Sequence, residues 1–216
     1  MDVGNIYLLE NKKMTWGDWG DVLWAGISPH DAFSNLVCIE RTGPFSPPLY
    51  LSNNNFIFTN EARLLFKHSS LRGLKFLYEI EKKRIVKLDW HNWDDKQHIS
   101  NYLDIEGEPE DIILKGRNDY ELVDKMPIYW LAYIESKIHL FIDKKSKSNN
   151  PSDYIFVEVA GECSDFFIGV ERTGIYITQK AKDWIESTFP NQFRYYLISK
   201  NKGIVEVYHI FNAYRN

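Results

Sequence analysis

The feature that most restricts what this chain can fold into is an internal repeat. Phe56-Ile57-Phe58-Thr59-Asn60-Glu61-Ala62-Arg63 aligns with Ile175-Tyr176-Ile177-Thr178-Gln179-Lys180-Ala181-Lys182 at an offset of 119. Without a gap, the same offset pairs Leu74-Lys75-Phe76 with Phe193-Arg194-Tyr195 and Ile85-Val86-Lys87-Leu88 with Ile204-Val205-Glu206-Val207. Upstream, Glu40-Arg41-Thr42-Gly43 matches Glu171-Arg172-Thr173-Gly174 at an offset of 131, so the first copy carries 12 more residues, Pro44 to Asn55. That insert is rich in proline and asparagine and reads as a loop. Self-similarity at a fixed spacing means one supersecondary unit used twice.

Each copy has the same local grammar. A short β-branched or aromatic run, Phe56 to Phe58 or Ile175 to Ile177, leads to Thr59 or Thr178, where a hydroxyl can satisfy a free amide of a following helix. Ala62, Leu65 and Phe66 then share a face at helical spacing, as do Ala181, Trp184 and Ile185. Two strands are predicted next: Lys75 to Glu79 and Arg84 to Leu88 in one copy, Arg194 to Ile198 and Ile204 to Tyr208 in the other. Polar turns around Glu81-Lys82-Lys83 and Lys200-Asn201-Lys202-Gly203 separate them. The expected class is α+β: two copies of a strand-helix-strand-strand unit, mostly antiparallel sheets, with amphipathic helices on one face.

Outside the repeats, Asn5 to Leu9, Val22 to Ala25, Ile128 to Glu135, Ile138 to Ile142, Tyr154 to Ala160 and Phe166 to Val170 read as strands, and Asp119 to Lys125 as a short helix. The ten residues Lys144 to Asp153, nine of them polar and one a proline, are the most linker-like stretch. They divide the chain into an N-terminal lobe, 1–145, with the first repeat and an acidic segment, and a C-terminal lobe, 146–216, with the second repeat. The two are expected to pack as pseudo-twofold lobes in contact.

The composition of the 216 residues, 44% hydrophobic and 26% charged, is that of a globular chain. Apolar runs such as Ile128 to Ile134 fall far short of the roughly 20 residues a spanning helix needs, and no basic-then-apolar leader opens the sequence. A cytoplasmic protein with no membrane segment is expected. Cys38 and Cys163 are too few for a disulfide framework or a four-cysteine zinc site and read as two buried thiols. The net charge of −4 hides a split. Between Asp89 and Asp124 there are 11 acids and 3 bases, a local charge of −8, so the remainder carries +4. The 33 aromatic residues (13 Phe, 13 Tyr, 7 Trp) could stack bases, but a single-strand binder also needs a basic groove, and here the charge has the opposite sign. No direct nucleic-acid role is expected.

Metal-type ligands crowd together in one place, Asp89-Trp90-His91-Asn92-Trp93-Asp94-Asp95 with His98. Their spacing fits none of the helical His-x-x-x-His or Cys/His patterns, and the neighbouring tryptophans favour packing. Glu106-Gly107-Glu108-Pro109-Glu110-Asp111 is acid-rich, but its glycine and proline read as a solvated turn. The recurring Glu-Arg-Thr-Gly reads as a structural turn whose Gly takes a positive φ and whose Glu and Arg pair locally. No phosphate loop, dinucleotide fingerprint, nucleophile elbow or His-Glu-x-x-His occurs.

Several phrases occur in a telling order: Arg41-Thr42-Gly43-Pro44-Phe45 with Pro47-Pro48, Leu71-Arg72-Gly73-Leu74-Lys75-Phe76, Ile85 to Asp94 (IVKLDWHNWD), and Gly107-Glu108-Pro109-Glu110-Asp111. Together they resemble a group of small bacterial proteins, and the Thr-capped helix followed by a Gly-aromatic strand is similar to the repeated unit of immunity proteins from polymorphic-toxin systems. The resemblance covers residues 38–130 and, more loosely, the second copy. It implies a non-catalytic antidote, without cofactor or metal, that binds a cognate toxin domain and blocks its active site. Paired Cys-x-x-Cys motifs found in related groups are absent here.

Many antibacterial toxins have basic substrate clefts, and an acidic, aromatic surface is their electrostatic complement. The expected partner-binding residues are Trp90, Trp93, Asp94, Asp95, Tyr102, Asp104, Glu106, Glu108, Glu110 and Asp111. The alternative is a small metal-dependent hydrolase built on Asp89, His91, Asp94 and His98. A third reading, a self-associating structural protein, requires an exposed apolar patch larger than about 400 Å².

Overall fold

A computed structural model of the chain describes residues 4–12, 20–43, 45–86, 108–142, 154–160 and 164–200. Two curled sheets share them. The first has five strands in the order β2 (Cys38–Arg41), β5 (Leu74–Ile85), β6 (Tyr129–Ile134), β4 (Asn55–Thr59) and β3 (Leu49–Ser52), antiparallel except for the β2–β5 pair. The second closes on itself in the order β1 (Ile6–Asn11), β10 (Ile175–Thr178), β9 (Phe166–Gly169), β7 (Lys137–Ile142), β8 (Tyr154–Ala160) and β11 (Phe193–Lys200). The described residues also form five helices: α1 (Gly20–Trp24), α2 (Asn60–Lys67), α3 (Pro109–Lys115), α4 (Tyr120–Lys125) and α5 (Gln179–Thr188). The class is α+β with mostly antiparallel sheets.

At the two threonines, positions 119 apart take the same local form. Thr59 and Thr178 both precede a helix in extended backbone, and each hydroxyl accepts the amide of the third residue on, Ala62 or Ala181, at 3.2 Å. One apolar cluster contains Phe56 with Ile175, Phe58 with Ile177, Ala62 with Ala181 and Phe66 with Ile185. It lies where the outer face of the barrel meets the five-stranded sheet and helices α2 and α5. Edge-to-face ring pairs, Phe66 against Phe58, Phe76, Phe166 and Trp184, knit it together. Truncating Phe66 to Ala is expected to cost about 3–5 kcal/mol.

Successive strand residues face opposite ways, so each sheet has a second apolar side. Ile6, Leu8, Ile138, Leu140, Tyr154, Phe167, Tyr176 and Ile198 come from all six barrel strands and fill its interior. On the five-stranded sheet, Tyr50, Ile57, Tyr129 and Leu131 face away from the barrel and are covered by Trp24 and Ala25 at the end of α1 and by Leu122 and Val123 of α4.

Several expectations are corrected. The two strands predicted across residues 75–88 are one 12-residue strand, β5, because Glu81-Lys82-Lys83 continue its alternation instead of turning. The corresponding fourth element of the second copy, residues 204–208, lies outside the described residues, as does the linker 144–153. The insert read as a loop contains β3. Asn53 and Asn54, both with positive φ (48° and 65°), form the two-residue turn that returns it into β4. Residues 22–24 are helical, not a strand. Apart from these corrections, β7 and β8, on either side of the 145/146 boundary, are hydrogen-bonded neighbours in the barrel, where β1 pairs with β10 and β11.

The recurring Glu-Arg-Thr-Gly is not one turn used twice. In the first copy Glu40 and Arg41 belong to the buried strand β2. Gly43 is needed for close approach, since a Cβ there would sit 2.3 Å from the Leu23 Cα. In the second copy the residues do form a turn, closed by the Gly169 amide donating to the Gly174 carbonyl at 3.1 Å. Glu171 accepts from the Leu140 amide at 2.7 Å and contacts His139, and Arg172 stacks on Tyr154.

Candidate functional site

Glu108, Glu110 and Asp111 are the expected partner-binding residues that the described structure includes. They do not sit on a turn. Pro109 occupies the first helical position of α3, where its missing amide is no loss, and Glu110 and Asp111 fill the first turn, favourable at the positive end of a helix. Pro109 and Ile113 are buried, while Glu108, Glu110 and Asp111 are exposed. Asp111 faces Lys115 one turn on, 3.7 Å away.

Strand β5 fixes this helix and the next. Arg84 Nη1 donates to the Leu114 carbonyl at 3.0 Å, at the C-terminal end of α3. The Ile85 amide donates to Asn118 Oδ1 at 2.7 Å, and the Ile85 carbonyl accepts from the Asp119 amide at 2.7 Å. Asp119 then caps α4, its carboxylate accepting from the Leu122 amide at 3.0 Å. Lys82 Nζ donates to the Val123 and Met126 carbonyls (2.7 and 3.1 Å), placing a cation at the C-terminal end of α4. The Lys-rich run that resembled a turn is the mount for both helices.

What the two helices present outward is mixed. Leu114 is 62% exposed and Tyr120 75% exposed. Around them in sequence stand exposed Glu110, Asp111, Glu121 and Asp124 with Lys115, Arg117 and Lys125. Sequence reading missed Leu114 and Tyr120. Their signal was available in the helical phase, which turns Leu122 and Val123 inward and leaves Tyr120 outside. Trp90, Trp93, Asp94, Asp95, Tyr102, Asp104 and Glu106 lie outside the described residues, as do Asp89, His91 and His98 of the metal alternative.

A second outward feature was also missed. Phe33 is 99% exposed at the tip of the loop 31–36. The loop is tightly organised. Asp31 Oδ2 accepts from the amides of Phe33 and Ser34 and from the Ser34 hydroxyl at 2.9–3.0 Å. The Asp31 amide donates to the Leu36 carbonyl, Asn35 supplies a left-handed residue with φ 54°, and Lys83 of β5 pairs with Asp31 Oδ1. Lys83 first, then the Ser34 amide and hydroxyl, hold the Asp31 carboxyl far below the usual carboxylate range. An aromatic between the turn formers Asp31 and Asn35 is the sequence signal that was passed over.

For chemistry, the described residues offer little convergence. No three of their His, Cys, Asp and Glu side chains come together as metal ligands. A half-open cavity of about 180 Å³ between the sheets is lined by Phe56, Leu77, Leu131, Tyr133, Ile168 and Ile175, with Asn54 and Asn55 at one end and no carboxylate or histidine. Cys38 is buried, its thiol 3.4 Å from the Pro29 carbonyl, and burial pushes its pKa up; Cys163 lies outside the described residues. Among the described residues no helix is long and apolar enough to cross a membrane. No protein-family model matches the chain, and neither does any curated protein or solved structure.

Proposed function

We propose that the protein is a non-catalytic, cytoplasmic, immunity-type protein that binds a cognate antibacterial toxin domain on an acidic surface and neutralises it. One observation carries the reading: β5 holds α3 and α4 by six hydrogen bonds from or to Lys82, Arg84 and Ile85, and the helices present Tyr120 and Leu114 among exposed charges in which acids outnumber bases. A rigidly mounted aromatic within a charged rim is the anatomy of a protein interface, in which a few anchors carry affinity and the rim sets partner and association rate. An acidic rim selects a partner with a basic face. The same acidic run continues through Asp94, Asp95, Asp104 and Glu106, which belong to the proposed surface with Trp90, Trp93 and Tyr102.

The test is binding to the product of the adjacent upstream gene, at low salt and at roughly 0.5 M salt, where rim charges are screened over about 4 Å. Association that weakens with salt, and that is reduced by Glu108→Lys, Glu110→Lys and Asp111→Lys together, supports the proposal. Absence of binding in both salts, with metal retained in the purified protein and hydrolytic turnover lost on His91→Ala, returns the assignment to the metal-dependent hydrolase.

A further inference from the structure

Among the described residues Arg41 is the largest side chain that is fully buried, with no exposed surface. One of its five donors is used visibly: Nη2 donates to the Leu23 carbonyl at 3.0 Å, at the C-terminal end of α1. Nε and Nη1 are sealed from solvent without a hydrogen-bond partner at normal geometry, and the hydroxyl of Tyr129 lies against the guanidinium as its one polar side-chain neighbour on that side. Tyr50, whose ring meets Tyr129 edge-on at 6.1 Å, lines the same place. Among the described residues no carboxylate pairs with this guanidinium. Burial pushes its pKa down and the two tyrosines push it back up, but arginine does not release its proton in a protein. Among the described residues this enclosed positive charge has donors on offer and no counter-charge.

Buried charges in folded proteins are paired, and buried donors find acceptors. A water molecule would satisfy a donor without neutralising the charge. We propose that Arg41 and the Tyr129 hydroxyl form a binding site for one small oxyanion of the phosphate or carboxylate class. Leu23 covers the guanidinium, supplying the one carbonyl Arg41 reaches, and Gly26 packs on the base of the same side chain, where a Cβ would come within 2.9 Å of the Arg41 Cβ. An entering anion displaces this cover and exchanges a neutral acceptor for a charged one, which makes the stronger bond. The proposal needs neither a toxin nor the outward face of α3 and α4, so the two proposals fail separately.

Inorganic phosphate and acetate are titrated in turn at low millimolar concentration, with ionic strength held by sodium chloride, following thermal unfolding and amide exchange of residues 22–26. The wild-type protein is expected to show a saturable rise in Tm with one anion class and faster exchange across 22–26. Arg41→Met, which keeps the space filled, abolishes both responses. Tyr129→Phe, which removes a single oxygen and keeps the testing possible should Arg41→Met not fold, raises the apparent dissociation constant about tenfold. No saturable response to either anion overturns the proposal, as does an equal response in all three proteins. So does a response that appears only in Asp89→Asn, because Val86 bonds the Arg41 carbonyl and the nearest downstream carboxylate would then be the native counter-charge.

Discussion

The side-chain amide of Asn11 pairs with Leu51 as a neighbouring strand would: Nδ2 donates to the Leu51 carbonyl at 2.6 Å, and the Leu51 amide donates to Oδ1 at 2.9 Å. Asn11 ends β1 in the barrel, and Leu51 lies on β3, an edge of the five-stranded sheet. One side chain thus closes an edge that would otherwise offer unpaired groups to another chain, and ties the two sheets together. Asn11→Ala leaves both Leu51 groups unmatched in a partly buried place. The expected loss is about 1–3 kcal/mol, read as a lower urea midpoint at unchanged slope. An unchanged midpoint would show that water replaces the amide without penalty.

A second tie joins the repeats at Gly73. The Arg72 amide donates to Asp165 Oδ2 and the Asp165 amide to the Arg72 carbonyl, both at 2.9 Å. Next to them Gly73 has φ 103°, and a Cβ there would lie 1.9 Å from Ser164 Oγ. Gly73→Ala is expected to destabilise by more than about 1–3 kcal/mol, since backbone strain and collision add. Ser164→Ala in the same chain should recover only part of the loss, because the strain stays. Full recovery in equilibrium unfolding would assign the whole effect to the collision.

The two threonine caps should differ although their geometry matches. Thr59→Ala removes a cap and is expected to cost about 1 kcal/mol. The Thr178 hydroxyl also donates to Asp165 Oδ1 at 2.9 Å, so Thr178→Ala also strips a donor from a buried carboxylate, and about 2–3 kcal/mol is expected. Chemical denaturation of both variants checks the ranking.

Acid should act on the loop 31–36 late. The Asp31 carboxyl is held low in the folded state, so its contribution is fully present above the ordinary carboxylate pKa and is lost only as pH falls through the depressed value. Lys83→Met removes the largest cause. The Asp31 carboxyl carbon, followed by NMR, should then titrate at higher pH, and amide exchange of Phe33 and Ser34 should accelerate from that pH downward. Identical titration curves in the two proteins would refute the role given to Lys83.

Phe33 and Tyr120 are exposed at no visible benefit to the fold. Phe33→Ala and Tyr120→Ala should each leave stability within about 0.5 kcal/mol of wild type. A larger loss in either would mean that the side chain packs in solution and is no partner anchor.

What could be read from the sequence was whatever is decided locally. Thr59 and Thr178 announce their helices because cap and amphipathic spacing act within a few residues. Strands β6, β7, β8 and β9 were visible as β-branched and aromatic runs. The errors share a cause, which is that polarity was taken for exposure. Lys82 and Lys83 are polar yet stand mid-strand, because their amines find a helix terminus and Asp31 from positions more than 40 residues away. Asn53 and Asn54 were read as loop filler when each supplies a positive φ to a tight hairpin. Gly107-Glu108-Pro109 looked like a turn because the proline was counted as a breaker and not as a first helical residue. Arg41 carried no local mark of burial: it sits in a repeated phrase whose other copy is at the surface.

The place of β1 in the barrel has a consequence for how the chain is made. Its neighbours are β10 and β11, and the Tyr7–Gln179 hydrogen bond alone spans 172 positions. Strand pairing at such separation is entropically late and slows folding. A ribosome will have synthesised nearly all the described residues before residues 6–11 meet either neighbour. Until then the nascent chain holds a five-stranded sheet whose barrel-facing phenylalanines are uncovered, and it is in that interval that the protein is most exposed to aggregation and most dependent on chaperones.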